Sequence, residues 1–213
     1  MLVLDALTIA LDGRPLLALD RTIAPGEIFS VMGPSGAGKS SLLAFVGGFL
    51  DPAFTARGRV LLDGRDITGL RPEARGIGLL FQDALLFPHF SVGQNLLFGL
   101  RPGVRGKAHR RAEAETMLAK VGLAGTFDRD PATLSGGEAA RIALGRTLLA
   151  APKALLLDEA FSRLDTALRQ SVRALVFDLI RETRIPAILV THDHEDALAA
   201  GSAVLDLGTG ETR

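Results

Sequence analysis

Three short stretches carry residues fit for chemistry on a phosphorylated substrate. Gly33-Pro34-Ser35-Gly36-Ala37-Gly38-Lys39-Ser40 has the G-x-x-x-x-G-K-S spacing of a phosphate loop. Glycines there let successive backbone N–H groups turn toward an anion, and a helix opening near Gly38 adds the positive end of its dipole. Lys39 is placed to reach the β- and γ-phosphates, and the hydroxyl of Ser40, with Ser41 beside it, to meet Mg²⁺. Ala154-Leu155-Leu156-Leu157-Asp158-Glu159 is an apolar run ending in two carboxylates. Ligands of open α/β sheets gather at the carboxyl ends of strands, where this pair falls. Asp158 suits Mg²⁺, directly or through water, and Glu159 suits the orientation and polarisation of an attacking water. Leu134-Ser135-Gly136-Gly137-Glu138 sets a helix-capping serine before two glycines, a second anion-binding helix start. Taken singly, these read as a glycine-rich turn, a solvated acidic strand end and a capped helix. Their order along one chain argues against that reading.

The elements around them follow from periodicity and turn chemistry. Apolar-rich runs over Leu2–Leu11 and Leu16–Ile23, parted by Asp12-Gly13-Arg14-Pro15, read as strand, turn, strand. Glu27–Met32 is a short strand feeding the glycine loop, and Lys39–Val46 a helix that Gly47-Gly48 stops. Gly58–Asp66 reads as a strand and turn, and Ile77–Gln82 as a strand ending at a polar residue. Ser91 to Ala150 is helical in pattern: Met117, Leu118 and Val121 keep helical spacing within Gly106–Gly122, and Ser135 caps a helix through Ala139–Ala150. Strand Ala154–Asp158, helix Thr166–Arg184, strand Ala187–Thr191, helix Glu195–Ala200 and strand Ala203–Leu207 then alternate, which predicts a mainly parallel sheet covered on both faces.

Composition bounds the function. The chain has 213 residues, 47% apolar and 23% charged, enough for one large folded domain. Its 24 basic and 24 acidic residues cancel, which argues against a nucleic-acid partner held by backbone phosphates. The cluster Arg105, Lys107, His109, Arg110, Arg111, followed by Glu113 and Glu115, reads as a solvated helix face. The longest apolar run, 42–50, falls far short of the roughly 20 residues that a bilayer needs. Met1-Leu2-Val3-Leu4-Asp5 offers no basic n-region, so a cytoplasmic protein is expected. The absence of cysteine excludes disulfides and thiolate metal sites.

Phosphate loop, Leu-Ser-Gly-Gly and strand-end carboxylates, in this order, resemble the ATP-binding cassette (ABC) family, and the likeness runs over essentially the whole chain. It implies a phosphate-loop (RecA-like), mainly parallel α/β sheet with an N-terminal antiparallel β subdomain and an inserted α-helical subdomain. Residues 1–213 would form one nucleotide-binding domain, with 1–90 and 151–213 as core and 91–150 as the helical subdomain. The likeness also implies ATP and Mg²⁺ as ligands and a head-to-tail homodimer in which Leu134, Ser135, Gly136, Gly137 and Glu138 close over the partner's ATP. Gln82 matches the Q-loop glutamine, which contacts Mg²⁺ and the attacking water. Ser162-Arg163-Leu164-Asp165 matches the D-loop at the dimer interface, and His192 the switch histidine contacting the γ-phosphate. On bare chemistry a lone loop Gln is surface and a lone His structural, as His89, His109 and His194 are read.

The stretch from Phe81 to Val92, with Asn95 and Phe98-Gly99-Leu100, resembles the ATPases of binding-protein-dependent importers. Asp130-Pro131-Ala132-Thr133 and Phe161-Ser162-Arg163-Leu164-Asp165 are especially similar to the uncharacterised YnjD-type bacterial ATPases, and the chain as a whole resembles those and the short thiamine-type ATPases most. Such a subunit works at the inner face of the cell membrane, under permease subunits and, through them, a solute-binding protein. The chain stops soon after Leu207, so no C-terminal regulatory domain is expected. An ABC exporter ATPase is the first alternative. A DNA-maintenance ABC ATPase would need a long coiled coil between Lys39 and Ser135, and a non-hydrolytic module would not need intact Lys39, Asp158, Glu159 and His192. Three positions depart from the pattern. Ala10-Leu11-Asp12 lacks the usual base-stacking aromatic, leaving Arg14 as a partial substitute and predicting weak discrimination between ATP and GTP. Glu138 replaces the commoner Gln, and Ala160 a proline.

Overall fold

Alternation of apolar and polar residues builds the first sheet. In β1 (Leu2–Leu11), Leu2, Leu4, Leu7 and Ile9 are buried, and the step from even to odd positions marks a register shift between Leu4 and Leu7. Ala6 takes a left-handed backbone (φ 47°) at that bulge. β2 (Arg14–Ile23), β4 (Phe54–Leu62) and β5 (Arg65–Asp66) complete an antiparallel sheet in the order β2-β1-β4-β5. This corrects the expected strand at Gly58–Asp66. β4 begins at Phe54 and carries Gly58 in its middle, at φ 100°, where a Cβ would lie 2.6 Å from the Ala6 carbonyl oxygen. A glycine read as a boundary is the partner of a bulge.

The computed structural model describes residues 1–208 and the backbone of 211 and 212. They fall into two units, one of Met1–Leu79, Lys153–Glu159 and Phe177–Arg213, the other of Leu80–Pro152 and Ala160–Val176. The second sheet runs β10-β9-β3-β8-β7-β6. Its strands are β3 (Ile28–Met32), β6 (Ile77–Leu80), β7 (Ala154–Asp158), β8 (Ala187–Val190), β9 (Val204–Asp206) and β10 (Glu211–Thr212). β3 pairs parallel with both β8 and β9, and β7 parallel with β8. α1 (Lys39–Gly47) follows the glycine loop and α6 (His194–Ala200) follows β8. Phe29, Val31, Leu42, Val46, Leu156 and Ile188 share the core of this unit. The expected strand ends nearest Gln82 and His192 move: β6 stops at Leu80, before Gln82, and β8 at Val190, before Thr191.

The second unit contains α2 (Val92–Phe98), α3 (Lys107–Lys120) and α4 (Gly136–Leu149), packed around Val92, Leu96, Leu118, Val121, Phe127 and Ile142. Ser91 and Gln94 form a capping box at the start of α2. Fully buried Asn95 accepts from Phe87 N at 2.8 Å and donates to Phe87 O at 3.1 Å, fixing the loop before α2. α5 (Thr166–Thr183) divides between the units at Val176.

Candidate functional site

β3 delivers the chain to Gly33 in an extended, buried run, and α1 carries it away from Gly38. Between them Gly33, Gly36 and Gly38 hold φ of 144°, 81° and 90°, values that curl the backbone and that side-chain-bearing residues resist. Gly38 is the N-cap of α1 and brings no side-chain cap, so the first-turn amides have no intrahelical acceptor. Lys39 is 8% exposed, and its Nζ donates to Gly33 O at 2.7 Å and Pro34 O at 2.8 Å. The ammonium thereby lies across the loop. A cavity of about 320 Å³ opens beside it, lined by Ser35, Gly36, Gly38, Lys39, Ser40, Ser41 and Glu159, and on its apolar side by Leu11, Leu16 and Phe54. Pro34 and Ala37 complete the turn.

Asp158 ends β7 and Glu159 follows it with a left-handed backbone, φ 48°, its amide donating to Val190 O at 2.9 Å. A non-glycine residue in that region stores about 1–3 kcal/mol, strain that clusters at functional sites. Burial, then the neighbouring Glu159 charge, push the Asp158 carboxyl above its ordinary range, while Lys39 pulls it back. A half-buried carboxylate with that bias invites a cation. Among the described residues no three His, Asp or Glu gather into a metal cage. One hydroxyl and one carboxylate beside a phosphate loop are what Mg²⁺ uses when substrate phosphates supply other ligands, so the donor set fits.

His192 Nδ1 stands 3.4 Å from Glu159 Oε1. The turn that carries it is fixed from behind. Buried Thr191 accepts from Asp193 N at 3.0 Å and donates to the buried Asp196 carboxylate at 3.3 Å, while Asp193 caps α6 by accepting from Glu195 N at 2.8 Å. Sequence reading passed over Thr191 and Asp196; an Asp two residues inside a short helix after Thr-x-Asp was the available signal.

The other unit carries the remaining predicted residues. Ser135 is the N-cap of α4, its Oγ accepting from Glu138 N at 3.3 Å. The Glu138 carboxylate accepts from Ser135 N at 2.8 Å and Arg129 Nη1 at 2.7 Å. The Ser135 amide, then Arg129, hold the Glu138 carboxyl down to about 2. The glycine pair divides in purpose. Gly137 is buried, and a Cβ there would lie 2.5 Å from the Leu168 side chain, which would have to move aside. Gly136 is exposed, its nearest neighbour an ordinary 3.7 Å away. Leu134 packs against the core of this unit, Asp165 accepts from Leu168 N at 3.0 Å, and Gln82 is exposed just after β6. Asp83, next to Gln82, pairs with Arg163. Arg14, expected beside a base, is not among the residues lining the cavity; Phe54, which sequence reading overlooked, is.

A glycine loop on a helix start, with a carboxylate pair closing β7 of the same sheet, one strand removed from β3, defines a phosphate-loop nucleotide-binding protein. A family model described as ABC transporter matches residues 16–162. The uncharacterised ABC transporter ATP-binding protein YnjD of Escherichia coli K12 is 50% identical over 196 residues, covering 92% of this chain and 89% of that protein. The thiamine import ATP-binding protein ThiQ of Cereibacter sphaeroides is 47% identical over 197 residues, covering 92% and 84%. A solved ATP-binding cassette, MJ0796 in a dimeric post-hydrolysis state bound to ADP and Pi, matches with a TM-score of 0.80 at 28% identity, covering 100% of this chain and 98% of that one. The chain belongs to the ABC transporter family, as an ATPase whose ligands are ATP and Mg²⁺.

Proposed function

We propose that this chain is the ATP-hydrolysing subunit of a bacterial importer, acting as a homodimer on the cytoplasmic face of the membrane beneath permease subunits served by a solute-binding protein. The observation that carries the reading is the Glu159–His192 contact beside the phosphate-loop cavity. The loop from Gly33 to Ser41 would cradle the phosphates, with Lys39 on the β and γ groups. Ser40, Asp158 and Gln82 would hold Mg²⁺, which when bound neutralises charge on the phosphates. Glu159 would polarise the attacking water and His192 would meet the γ-phosphate. Residues 91–150, as the helical subdomain of the single domain 1–213, would present Leu134–Glu138 to the partner's nucleotide, with Asp165 at the shared interface. Both the dimeric cassette and the import ATPase among its relatives support this arrangement.

A docking surface supports the permease. Leu85 and Phe98 are 57% and 64% exposed, and Phe87 joins Phe98 and Phe90 at ring separations of 4.5 and 5.4 Å. Arg146 holds the segment by donating to Leu85 O at 2.9 Å and Ala84 O at 3.0 Å. Leu86, next to Leu85, is instead partly buried against the core of its own unit. Exposed aromatic groups of this kind mark partner sites. No helix among the described residues is long and apolar enough to cross a membrane; passage is assigned to the permease. The test is Mg²⁺-dependent ATP turnover by the purified chain, with capture of an integral-membrane partner from mildly solubilised native membranes. Turnover together with a captured permease supports the reading, and turnover without any membrane partner contradicts the transport half of it.

A further inference from the structure

The lining of the phosphate-loop cavity is of two chemical kinds. One is polar: Ser35, Lys39, Ser40, Ser41 and Glu159, with Gly36 and Gly38 of the loop. The other is apolar, made by Leu11 at the end of β1, Leu16 in β2 and Phe54 at the start of β4. Leu11 and Phe54 are cross-strand partners, the last pair of the β1–β4 ladder, so a fixed backbone register delivers the ring to the cavity. Leu16 packs toward the loop itself; its Cβ lies 3.3 Å from where a Cβ on Gly38 would stand. Phe54 is only partly buried, and it is the one aromatic among the lining residues.

Resting on the nucleotide reading above, we propose that Phe54 is the platform for the nucleotide base, supplying from β4 the aromatic that positions 10–12 lack, with Leu11 and Leu16 as apolar walls. A nucleoside triphosphate bound by its phosphates at the loop must send its base along the cavity, and a flat aromatic face beside aliphatic side chains is what a heterocycle stacks on. The exposed Arg14 is released from that duty.

The experiment compares Mg-ATP with Mg-tripolyphosphate, which keeps the phosphates and lacks the base, by equilibrium titration of wild type and Phe54→Ala. Stacking of the size seen on aromatic platforms predicts that Phe54→Ala weakens ATP by about five- to a hundredfold, with tripolyphosphate within twofold of wild type. Intact tripolyphosphate binding also certifies the fold of the variant. Unchanged ATP affinity overturns the proposal. So does an equal loss for both ligands, which makes Phe54 a support of the loop. A wild type that binds neither ligand defeats the nucleotide reading itself. The chain has no tryptophan, so Phe54→Trp adds a single reporter: its emission should be quenched by ATP and not by tripolyphosphate, and a signal blind to both argues against stacking.

Discussion

The imidazole of His192 lies 3.4 Å from the Glu159 carboxylate, and that carboxylate stands on a left-handed backbone at the end of β7. Strand pairing sets this contact: Asp158 is the register partner of Val190, and the Glu159 amide bonds to Val190 O. The parallel ladder therefore places residues one step past β7 beside residues two steps past β8. Thr191 and Asp196 then hold the turn that aims the histidine.

Glu159→Gln keeps the shape and removes the carboxylate proposed as the base. A positioned general base is worth about 10²–10⁴-fold, so steady-state turnover should fall by at least a hundredfold while ATP affinity stays within a few-fold. Turnover within threefold of wild type would remove Glu159 from that role.

Glu138 predicts an acid-sensitive helix start. Its carboxyl titrates at about 2 in the folded chain against an ordinary 4.5. The native state therefore binds fewer protons than the unfolded chain in that window. The stability it contributes is complete above about pH 4.5 and is lost as pH falls toward 2. Glu138→Gln, which keeps a capping box but not the Arg129 ion pair, should be less stable than wild type at pH 7. Urea unfolding midpoints should converge as pH falls through the window, and a gap independent of pH counts against the assignment.

Arg75 should govern the seat of α1. Its guanidinium, 6% exposed, donates to Phe45 O at 2.7 Å, Val46 O at 2.9 Å and Leu70 O at 2.9 Å, and also bonds Thr68 O. Arg75→Met would leave the buried Val46 carbonyl without its donor and take one from Phe45, Thr68 and Leu70 O, at about 1–3 kcal/mol for each group left unsatisfied. The expected loss is at least about 2 kcal/mol, read as a lower urea midpoint at unchanged m-value.

The aromatic surface should separate ATP hydrolysis from transport. Leu85→Asp suits the left-handed backbone at that position (φ 45°) and puts a charge on the patch. With Phe98→Glu it should abolish transport by the reconstituted system while basal ATPase stays within twofold. Parallel loss of folding and ATPase would make the patch structural.

Motifs with fixed spacing were legible in the sequence, because backbone geometry forces them. The turn around Gly33–Lys39, the run ending at Asp158 and the Ser135 cap fall where residue types demand. What escaped depends on partners remote in sequence. Gly58 looked like a boundary until Ala6 across the ladder made it half of a bulge. Phe54, in a stretch without period, acquires its place only by pairing with Leu11. Leu85 and Leu86 have the same side chain and adjacent positions, and only the backbone path, left-handed at Leu85 (φ 45°), tells the exposed one from the one packed on the core.

In the proposed homodimer each nucleotide is held by the phosphate loop of one copy and Leu134–Glu138 of the other. Mixing Lys39→Ala with Ser135→Arg separates this arrangement from one in which each copy acts alone. Each variant alone spoils both sites of its own dimer, while a mixed dimer keeps one intact site only if the loop and the glycines come from different copies. The expected result is two nearly inactive proteins whose equimolar mixture, after subunit exchange, regains ATP turnover well above either alone. A mixture no more active than its parts, from variants that fold and exchange, would contradict it.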